Sequence, residues 1–241
     1  MDNTAQSAGT KFPTITHCIF DMDGLLLDTE RIYTEVTEEI LRPHGLTFGW
    51  DVKAKLMGRT THDSIRILLE ETKVPMTHEE YYQKSHKLQF EKFPSCRPLP
   101  GVERLIAHLN DTNVPIAVGT SSRMEHFETK TQENKPLFQL FDTITCGDDP
   151  NVEHGKPHPD IFIEARRRLG NPPADQCLVF EDALNGVEAA RRAGMHVVWI
   201  PDPNIVAMGI RDDHGAAEIL TSMEEFQPEK YGLPAFPLPS A

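Results

Sequence analysis

The chain has 241 residues, of which 24 are basic and 37 acidic, so its formal net charge is −13 with histidine neutral. This charge, with no basic stripe, argues against nucleic acid as a partner, because nucleic-acid affinity comes mostly from Lys and Arg that neutralise phosphates. With 39% hydrophobic and 25% charged residues, the composition is that of a globular protein with room for one large domain or a domain that carries an insert.

Membrane and secretion signals are not evident in the sequence. No apolar run approaches the ~18 residues of a membrane span, and the first residues lack the basic and apolar regions of a signal peptide. The four cysteines are scattered without a C-x-x-C pair, which favours reduced thiols in an intracellular protein. We therefore expect a cytoplasmic protein that does not bind membranes.

The chain after residue 13 alternates short apolar runs with amphipathic segments, which is typical of a parallel sheet whose strands are joined by helices. Residues 1–13 are small and polar, and we expect a disordered tail there. Strands are predicted at 17–20, 114–118, 143–146, 177–180 and 196–200, and helices at 122–134, 158–170 and 184–193. The predicted fold class is α/β, a Rossmann-like parallel sheet with helices on both faces.

One stretch, 29–98, interrupts this alternation, because no buried-strand run follows the first strand there. Helical periodicity is present instead over three segments, 29–42, 61–72 and 77–93. The sequence therefore predicts a helical insert at 29–98 in an α/β core formed by 14–28 and 99–241. The insert is either an extra helical layer or a mobile cap over a site at the end of the first strand. The proline-rich end of the chain from residue 227 predicts an irregular closing segment.

An acidic pair ends the first predicted strand, where Asp21 and Asp23 follow His17–Phe20. This position is the carboxyl edge of a parallel sheet, where open α/β folds bind ligands. Two like charges so close together are costly to desolvate unless they share a cation or a proton. A divalent metal would satisfy both carboxylates, although acidic pairs at strand ends are also common turn formers.

Polar residues follow the next two strands as well. Thr120 and Ser121 lie just before a predicted helix, where hydroxyl and free N–H groups form an anion site or simply cap the helix. Lys156 is held between glycine and proline ahead of another helix. A lysine fixed in this way suits the neutralisation of a carboxylate or a phosphoryl oxygen, whereas a solvated surface lysine needs no rigid neighbours.

A second acidic pair, Glu181 and Asp182, follows the strand at 177–180. Hard oxygen ligands without cysteine or clustered histidine indicate Mg2+ rather than zinc or copper. Four strand ends thus carry carboxylates, hydroxyls, a lysine and carboxylates in that order. A coincidence of four purely structural features is improbable, so the sequence favours one shared site.

This ordered set resembles the haloacid dehalogenase-like superfamily of phosphohydrolases over residues 16–226. Its four motifs match, in order, Asp21-Met-Asp23-Gly, Thr120, Lys156 and Glu181-Asp182. The insert is similar to the family's small helical cap, as in phosphoglycolate phosphatase and β-phosphoglucomutase relatives. The strings FDMDGLLLDTE, GDDP-x-V-x-HGKP-x-PDIF and LVFEDA-x-NGVEAA resemble the branch of pseudouridine-5′-phosphatases and of glycerol-phosphate and sugar-phosphate phosphatases. Leu25 departs from the usual Thr or Val, with little expected effect because it remains apolar.

The resemblance implies roles for these residues. Asp21 would be the nucleophile that forms an aspartyl-phosphate. Asp23 would protonate the leaving alcohol and then deprotonate water, which requires a carboxyl that keeps its proton near neutral pH. Thr120, the backbone N–H of Ser121 and Lys156 would hold the phosphoryl oxygens.

The resemblance also implies a bound Mg2+ as cofactor. Its ligands would be Asp21, Asp182 and the backbone carbonyl of Asp23, with Glu181 assisting directly or through another ligand. Arg59, in Met57-Gly-Arg-Thr60 of the insert, matches an arginine that contacts substrate in β-phosphoglucomutase-like relatives, although an exposed arginine near a helix start is equally compatible.

The implied function is therefore an Mg2+-dependent phosphatase of a small phosphorylated metabolite, with a monomer as the default. Pseudouridine 5′-phosphate, glycerol phosphate and 2-deoxyglucose 6-phosphate are candidate substrates. Two alternatives stay open: a β-phosphoglucomutase-like phosphotransferase, and a regulatory pseudoenzyme that only binds phosphate compounds. A receiver domain is disfavoured, because such domains are about half this length and lack a cap insert.

Overall fold

The computed structural model describes residues 14–56, 61–207 and 212–237. In these ranges six parallel strands form a single sheet of order β3-β2-β1-β4-β5-β6. The strands are β1 (His17–Phe20), β2 (Ile116–Gly119), β3 (Thr143–Thr145), β4 (Cys177–Glu181), β5 (His196–Trp199) and β6 (Glu218–Ile219). The chain reverses direction across the sheet at β1, and such a switch point opens a crevice beyond the carboxyl ends of the neighbouring strands. The predicted α/β fold is confirmed.

Ten α-helices accompany the sheet in the described ranges. Those between β1 and β2 are α1 (Thr29–Leu41), α2 (Trp50–Leu56), α3 (Thr61–Thr72), α4 (His78–Lys92) and α5 (Val102–Asp111). Those that follow are α6 (Met124–Thr131), α7 (Lys135–Phe138), α8 (Asp160–Arg168), α9 (Leu184–Arg192) and α10 (Pro203–Ala207). No helix among them is long and apolar enough to cross a bilayer.

Both faces of the sheet are buried, which explains why its strands are continuous apolar runs. Cys18 and Phe20 of β1 point into a large apolar core shared with α5 and the insert helices. Ile19 points to the opposite face, where it packs with residues of α8 and α9. Because side chains alternate along a strand, three consecutive apolar residues fill two separate cores.

The insert joins the core through two paired segments. The Leu99 N–H donates to the Leu26 carbonyl (3.1 Å), and the Asp28 N–H donates to the Arg97 carbonyl (3.0 Å). Asp28 Oδ1 in turn accepts from the Arg97 N–H at 2.6 Å. Chain entry and exit are thus tied together at the proposed boundary of 29–98, while the division into domains stays a prediction.

Three insert helices match the predicted segments closely, and one was not predicted. The start of α4 follows from a capping box, in which Thr77 and Glu80 exchange side-chain and backbone hydrogen bonds. Helix α2 was missed because its seven residues are too few to show a helical period in the sequence. The expected tail at 1–13 lies outside the described residues.

The closing segment is more ordered than predicted. Pro228–Tyr231 form a 3-10 helix, and Tyr231 is fully buried. Its carbonyl accepts a hydrogen bond from the Ile15 N–H at 2.8 Å. The expectation of an irregular segment is therefore wrong for these four residues, because Pro228 and Tyr231 are buried and Tyr231 belongs to the large apolar core.

Candidate active site

The carboxyl ends of β1 and β4 bring two predicted carboxylates together around one lysine. Phe20 is paired with Phe180 across these strands, so Asp21 and Glu181 occupy neighbouring positions at the edge. Lys156 Nζ donates to Asp21 Oδ1 at 2.5 Å and to Glu181 Oε1 at 2.6 Å. All three side chains are buried, with at most 8% exposed. The lysine therefore serves as a rigid charged bridge rather than a solvated surface group.

The surroundings of Asp21 disfavour the ionised form of its carboxyl group. Burial raises its pKa to about 7, the nearby Glu181 and Asp23 add to the rise, and Lys156 only partly offsets them. The nucleophile role predicted for Asp21 needs an ionised carboxylate, which further positive charge would favour. Such a requirement is what the proposed metal would meet.

Asp182 carries the strongest indication of a cation. Burial first, and then Glu181 and Asp21, raise its pKa well above the ordinary value. Within the described ranges no side chain donates a hydrogen bond to its carboxylate. Buried carboxylates are normally paired, so this oxygen pair fits a hard cation.

The charge of the centre also fits a divalent ion. Asp21, Asp23, Glu181 and Asp182 provide four carboxylates against two buried ammonium groups, those of Lys130 and Lys156, which leaves two negative charges unmatched. These four side chains offer oxygen ligands, as Mg2+ prefers. Gly24, with φ at 79°, keeps the approach open: a Cβ there would lie 2.6 Å from Asp182 Oδ2.

The Glu181 carboxylate has more hydrogen-bond partners than that of the neighbouring Asp182. Its Oε2 accepts from the Ala183 N–H at 3.0 Å, while Oε1 accepts from Lys156. Gly186 of α9 packs directly on this carboxylate, since a Cβ built at Gly186 would lie 1.8 Å from Oε1. With both oxygens already engaged, Glu181 is better placed to orient Lys156 than to bind a metal directly.

Asp23 points away from Lys156 towards a separate group of donors. Its Oδ1 accepts from Lys130 Nζ at 2.5 Å, and its Oδ2 accepts from Ser122 Oγ at 2.7 Å and from Thr120 Oγ1 at 3.4 Å. Burial alone would raise the pKa of Asp23, but Lys130 and the hydrogen bond from Ser122 hold it below the ordinary value. The expectation that Asp23 keeps its proton near neutral pH did not include Lys130, which the sequence did not reveal and which acts in the opposite direction; the acid role stays a prediction.

Lys130 is the main functional candidate that sequence reasoning missed. It lies near the end of α6 with its side chain fully buried, and it donates to Tyr33 Oη at 2.9 Å and Ser122 Oγ at 2.8 Å besides Asp23. Asp23 and Tyr33 raise its pKa although burial acts in the opposite direction. In sequence it is an ordinary helical lysine, so only its three-dimensional neighbours identify it.

The residues predicted to form an anion site lie directly after β2. Thr120 is buried, and its hydroxyl accepts from the Ser122 N–H at 3.1 Å as well as facing Asp23. The backbone N–H groups of Met22 and Ser121 donate to no described residue. Two N–H groups without a described acceptor, one after β1 and one after β2, suit phosphoryl oxygens, and the Met22 group was not foreseen. Arg59, the candidate substrate residue of the insert, lies outside the described residues.

Comparison with known proteins agrees with this geometry. The family model described as haloacid dehalogenase-like hydrolase matches residues 18–200. The chain is 44% identical over 227 residues to (DL)-glycerol-3-phosphatase 2 of Arabidopsis thaliana, covering 92% of this chain and 93% of that protein. It is 45% identical over 224 residues to the Drosophila melanogaster protein named "Probable pseudouridine-5'-phosphatase", covering 92% and 96%.

A solved structure with a similar fold is that of CbbY from Rhodobacter sphaeroides in complex with phosphate. The identity is 25% and the TM-score 0.71, with 88% of this chain and 96% of that chain covered. The similarity extends over most of both chains.

Proposed function

Because the chain is a phosphomonoester hydrolase that belongs to the haloacid dehalogenase-like hydrolase family, we propose that it hydrolyses a small phosphorylated metabolite in an Mg2+-dependent reaction through an aspartyl-phosphate. The observation that carries this proposal is the buried Lys156 bridge between Asp21 and Glu181, with the neighbouring Asp182 carboxylate accepting no hydrogen bond from a side chain of the described ranges.

Asp21 is the proposed nucleophile. One of its oxygens attacks phosphorus while the bond from phosphorus to the leaving oxygen breaks, which gives an acyl phosphate and an alcohol. Lys156 fixes Asp21 through Oδ1, so the other oxygen is left for attack. The N–H groups of Met22 and Ser121 and the Lys156 ammonium stabilise the charge that spreads over the phosphoryl oxygens.

Asp23 is the proposed acid and base. It gives its proton to the leaving oxygen in the first step, and in the second it takes a proton from water as the water oxygen attacks phosphorus and the bond to Asp21 breaks. Its low pKa in the present geometry favours the base form. Substrate binding, which adds negative charge nearby, would raise the pKa and favour the acid form.

The residues that would hold Mg2+ are Asp21, Asp182 and the backbone carbonyl of Asp23, with Glu181 supporting through Lys156. When bound, the ion neutralises the two unmatched charges and screens Asp21 from the anionic substrate.

The relatives support a proposed substrate class. Proteins at 44% and 45% identity carry the names of a glycerol-3-phosphatase and a pseudouridine-5′-phosphatase, so a polyol or nucleoside phosphate ranks first and sugar phosphates such as 2-deoxyglucose 6-phosphate follow. The cytoplasmic location, the monomeric state, the absence of a nucleic-acid partner and the role of Arg59 stay predictions.

The experiment that tests this proposal is phosphate release from a panel of polyol, nucleoside and sugar phosphates, with Mg2+ and with EDTA. We expect one class to be hydrolysed with Mg2+ and none after chelation. Full activity after thorough chelation would contradict the metal assignment, and no release from any compound would contradict the phosphatase. Transfer of the phosphoryl group within a sugar phosphate, without release, would instead identify a mutase.

A further inference from the structure

We propose that Lys130 is a positioning residue that fixes the Asp23 carboxylate for proton transfer and ties it to the connections of the helical insert. This inference rests on the proposed function, since Asp23 is assigned there as acid and base. It concerns a helical lysine that none of the four sequence motifs includes.

The burial and hydrogen bonds of Lys130 hold its ammonium in contact with Asp23. Its side chain has no exposed surface, so its ammonium cannot exchange protein partners for water. It donates to Asp23 Oδ1 and to Ser122 Oγ, and Ser122 Oγ donates to Asp23 Oδ2. The three groups form a closed ring of hydrogen bonds, which fixes both carboxylate oxygens and leaves one orientation of Asp23 favoured.

The same ammonium is anchored to both connections of the insert. It donates to Tyr33 Oη in the first part of α1 and lies 5.3 Å from the Tyr33 ring centre. It also lies 4.8 Å from the ring centre of Phe93, which follows the end of α4 just before the chain returns to the core. Aromatic faces at these distances attract a cation. Lys130 thus contacts the insert near its entry and near its exit.

This arrangement gives Lys130 a role beyond that of a structural ion pair. Asp23 must transfer a proton to the leaving oxygen as its bond to phosphorus breaks, and must later accept one from the attacking water. Both transfers require a carboxylate oxygen held within hydrogen-bond reach of the reacting oxygen. A carboxylate freed from Lys130 rotates among several orientations, and a small misplacement costs a large factor in rate.

The test uses Lys130→Met, which keeps the aliphatic length of the side chain and removes its ammonium. The matched control is Lys135→Met, an exposed lysine of α7. Two substrates are compared: the best alkyl phosphate from the panel, whose leaving oxygen needs a proton, and p-nitrophenyl phosphate, whose leaving group departs without one. For each, the first turnover is measured separately from steady-state release.

With the alkyl phosphate, we expect the first turnover of Lys130→Met to slow by about 10²–10⁴-fold, the usual contribution of general acid catalysis, with KM changed only a few-fold. With p-nitrophenyl phosphate, we expect the first turnover to stay within about tenfold of wild type. Its steady-state rate should fall, because water activation still needs Asp23. Equal slowing of the first turnover with both substrates would overturn the positioning role, and so would a rise in KM with kcat unchanged.

Tyr33→Phe tests the link to the insert separately. It removes the hydroxyl that accepts from Lys130 while it keeps the ring near the ammonium. We expect a smaller loss than for Lys130→Met, again confined to the substrate whose leaving group needs a proton. A loss shared equally by both substrates would contradict the proposed link.

A measurement without activity separates this inference from the proposed function. Thermal unfolding of wild type, Lys130→Met, Asp23→Asn and the double variant forms a mutant cycle. We expect each single variant to lower Tm by leaving one buried charge unpaired, and the double variant to recover part of the loss. Additive changes in Tm would overturn the contact itself. If the mutant cycle shows coupling between Lys130 and Asp23 but the wild type hydrolyses no phosphomonoester, the proposed function is contradicted instead.

Discussion

Lys156 Nζ lies 2.5 Å from Asp21 Oδ1, and the same ammonium reaches Glu181 at 2.6 Å. One buried cation therefore joins the proposed nucleophile on β1 to the carboxylate that ends β4. Burial would lower the pKa of Lys156, but these two partners raise it above the ordinary value, which favours the charged ammonium.

Replacement of Lys156 by Met should damage both chemistry and stability. We expect kcat to fall by at least about 10²-fold, because a fixed charge at the phosphoryl group is lost, and Tm in EDTA to fall because buried carboxylates lose their only bridge. Steady-state kinetics and thermal unfolding check this, with Lys87→Met, at an exposed lysine, as control. Activity equal to that of the control would contradict the role of Lys156.

Asp182→Asn should have opposite effects on the protein with and without metal. The variant removes a buried carboxylate that has no partner among the described residues, so we expect a higher Tm than wild type in EDTA. Addition of Mg2+ should raise the Tm of wild type and leave that of Asp182→Asn almost unchanged. The exposed Asp175→Asn should respond to Mg2+ as wild type does. An equal Mg2+ shift in Asp182→Asn would remove Asp182 from the metal site.

Gly186→Ala should disturb the site by a steric clash, without any change of charge. The added methyl group would meet the Glu181 carboxylate at 1.8 Å, and Glu181 cannot move without losing Lys156 and the Ala183 N–H. We expect a lower Tm and a clear loss of kcat. Gly155→Ala is the control for stability, because a Cβ there meets nothing within 4 Å. A Tm no lower than that of the control would show that α9 can shift to accommodate the methyl group.

Glu164 provides a test of pH dependence away from the active site. Hydrogen bonds from Arg167 and Arg168 lower the pKa of Glu164 from 4.5 to about 2. They outweigh burial, which acts in the opposite direction. Because the pKa of Glu164 is lower in the folded than in the unfolded protein, its contribution to stability is complete above pH 4.5 and is lost as the pH falls towards 2. Wild type should therefore exceed Glu164→Gln in Tm near neutral pH, and the difference should shrink over that window.

The control for this test is Glu188→Gln, whose side chain is 40% exposed beside two arginines. Exposed ion pairs contribute little, so its Tm difference from wild type should be small at every pH. A Glu164→Gln difference that stays constant with pH would contradict a lowered pKa for Glu164.

The fold was predictable where buried strands alternate with amphipathic helices, and less so where an element is short. The strand at 17–20 has the predicted bounds, and β4 extends the predicted run by one residue to Glu181. The two-residue β6 was missed because Glu218 and Ile219 carry no strand pattern of their own and pair only because β5 lies beside them. Likewise, the 3-10 helix at Tyr231 was not predictable locally, because this residue is buried against residues far away in the sequence.

The site was predictable in part for a similar reason. Asp21, Asp23, Glu181 and Asp182 follow apolar strands directly, so topology brings them together. Lys130 approaches from a helix whose sequence shows no special spacing, and its effect on Asp23 arises only in three dimensions. The expectation about the proton on Asp23 could not include this cation, since burial and like charge were the influences visible in the sequence.

Asp21→Asn is the most direct test of covalent catalysis by this site. The amide keeps the shape of the side chain but cannot attack phosphorus, and the variant should fold because it removes a buried charge. Phosphate release is measured with the best substrate and Mg2+, alongside wild type at equal folded concentration. We expect turnover to fall by at least about 10³-fold, as for loss of a nucleophile elsewhere. Activity of Asp21→Asn within tenfold of wild type would contradict an aspartyl-phosphate at Asp21.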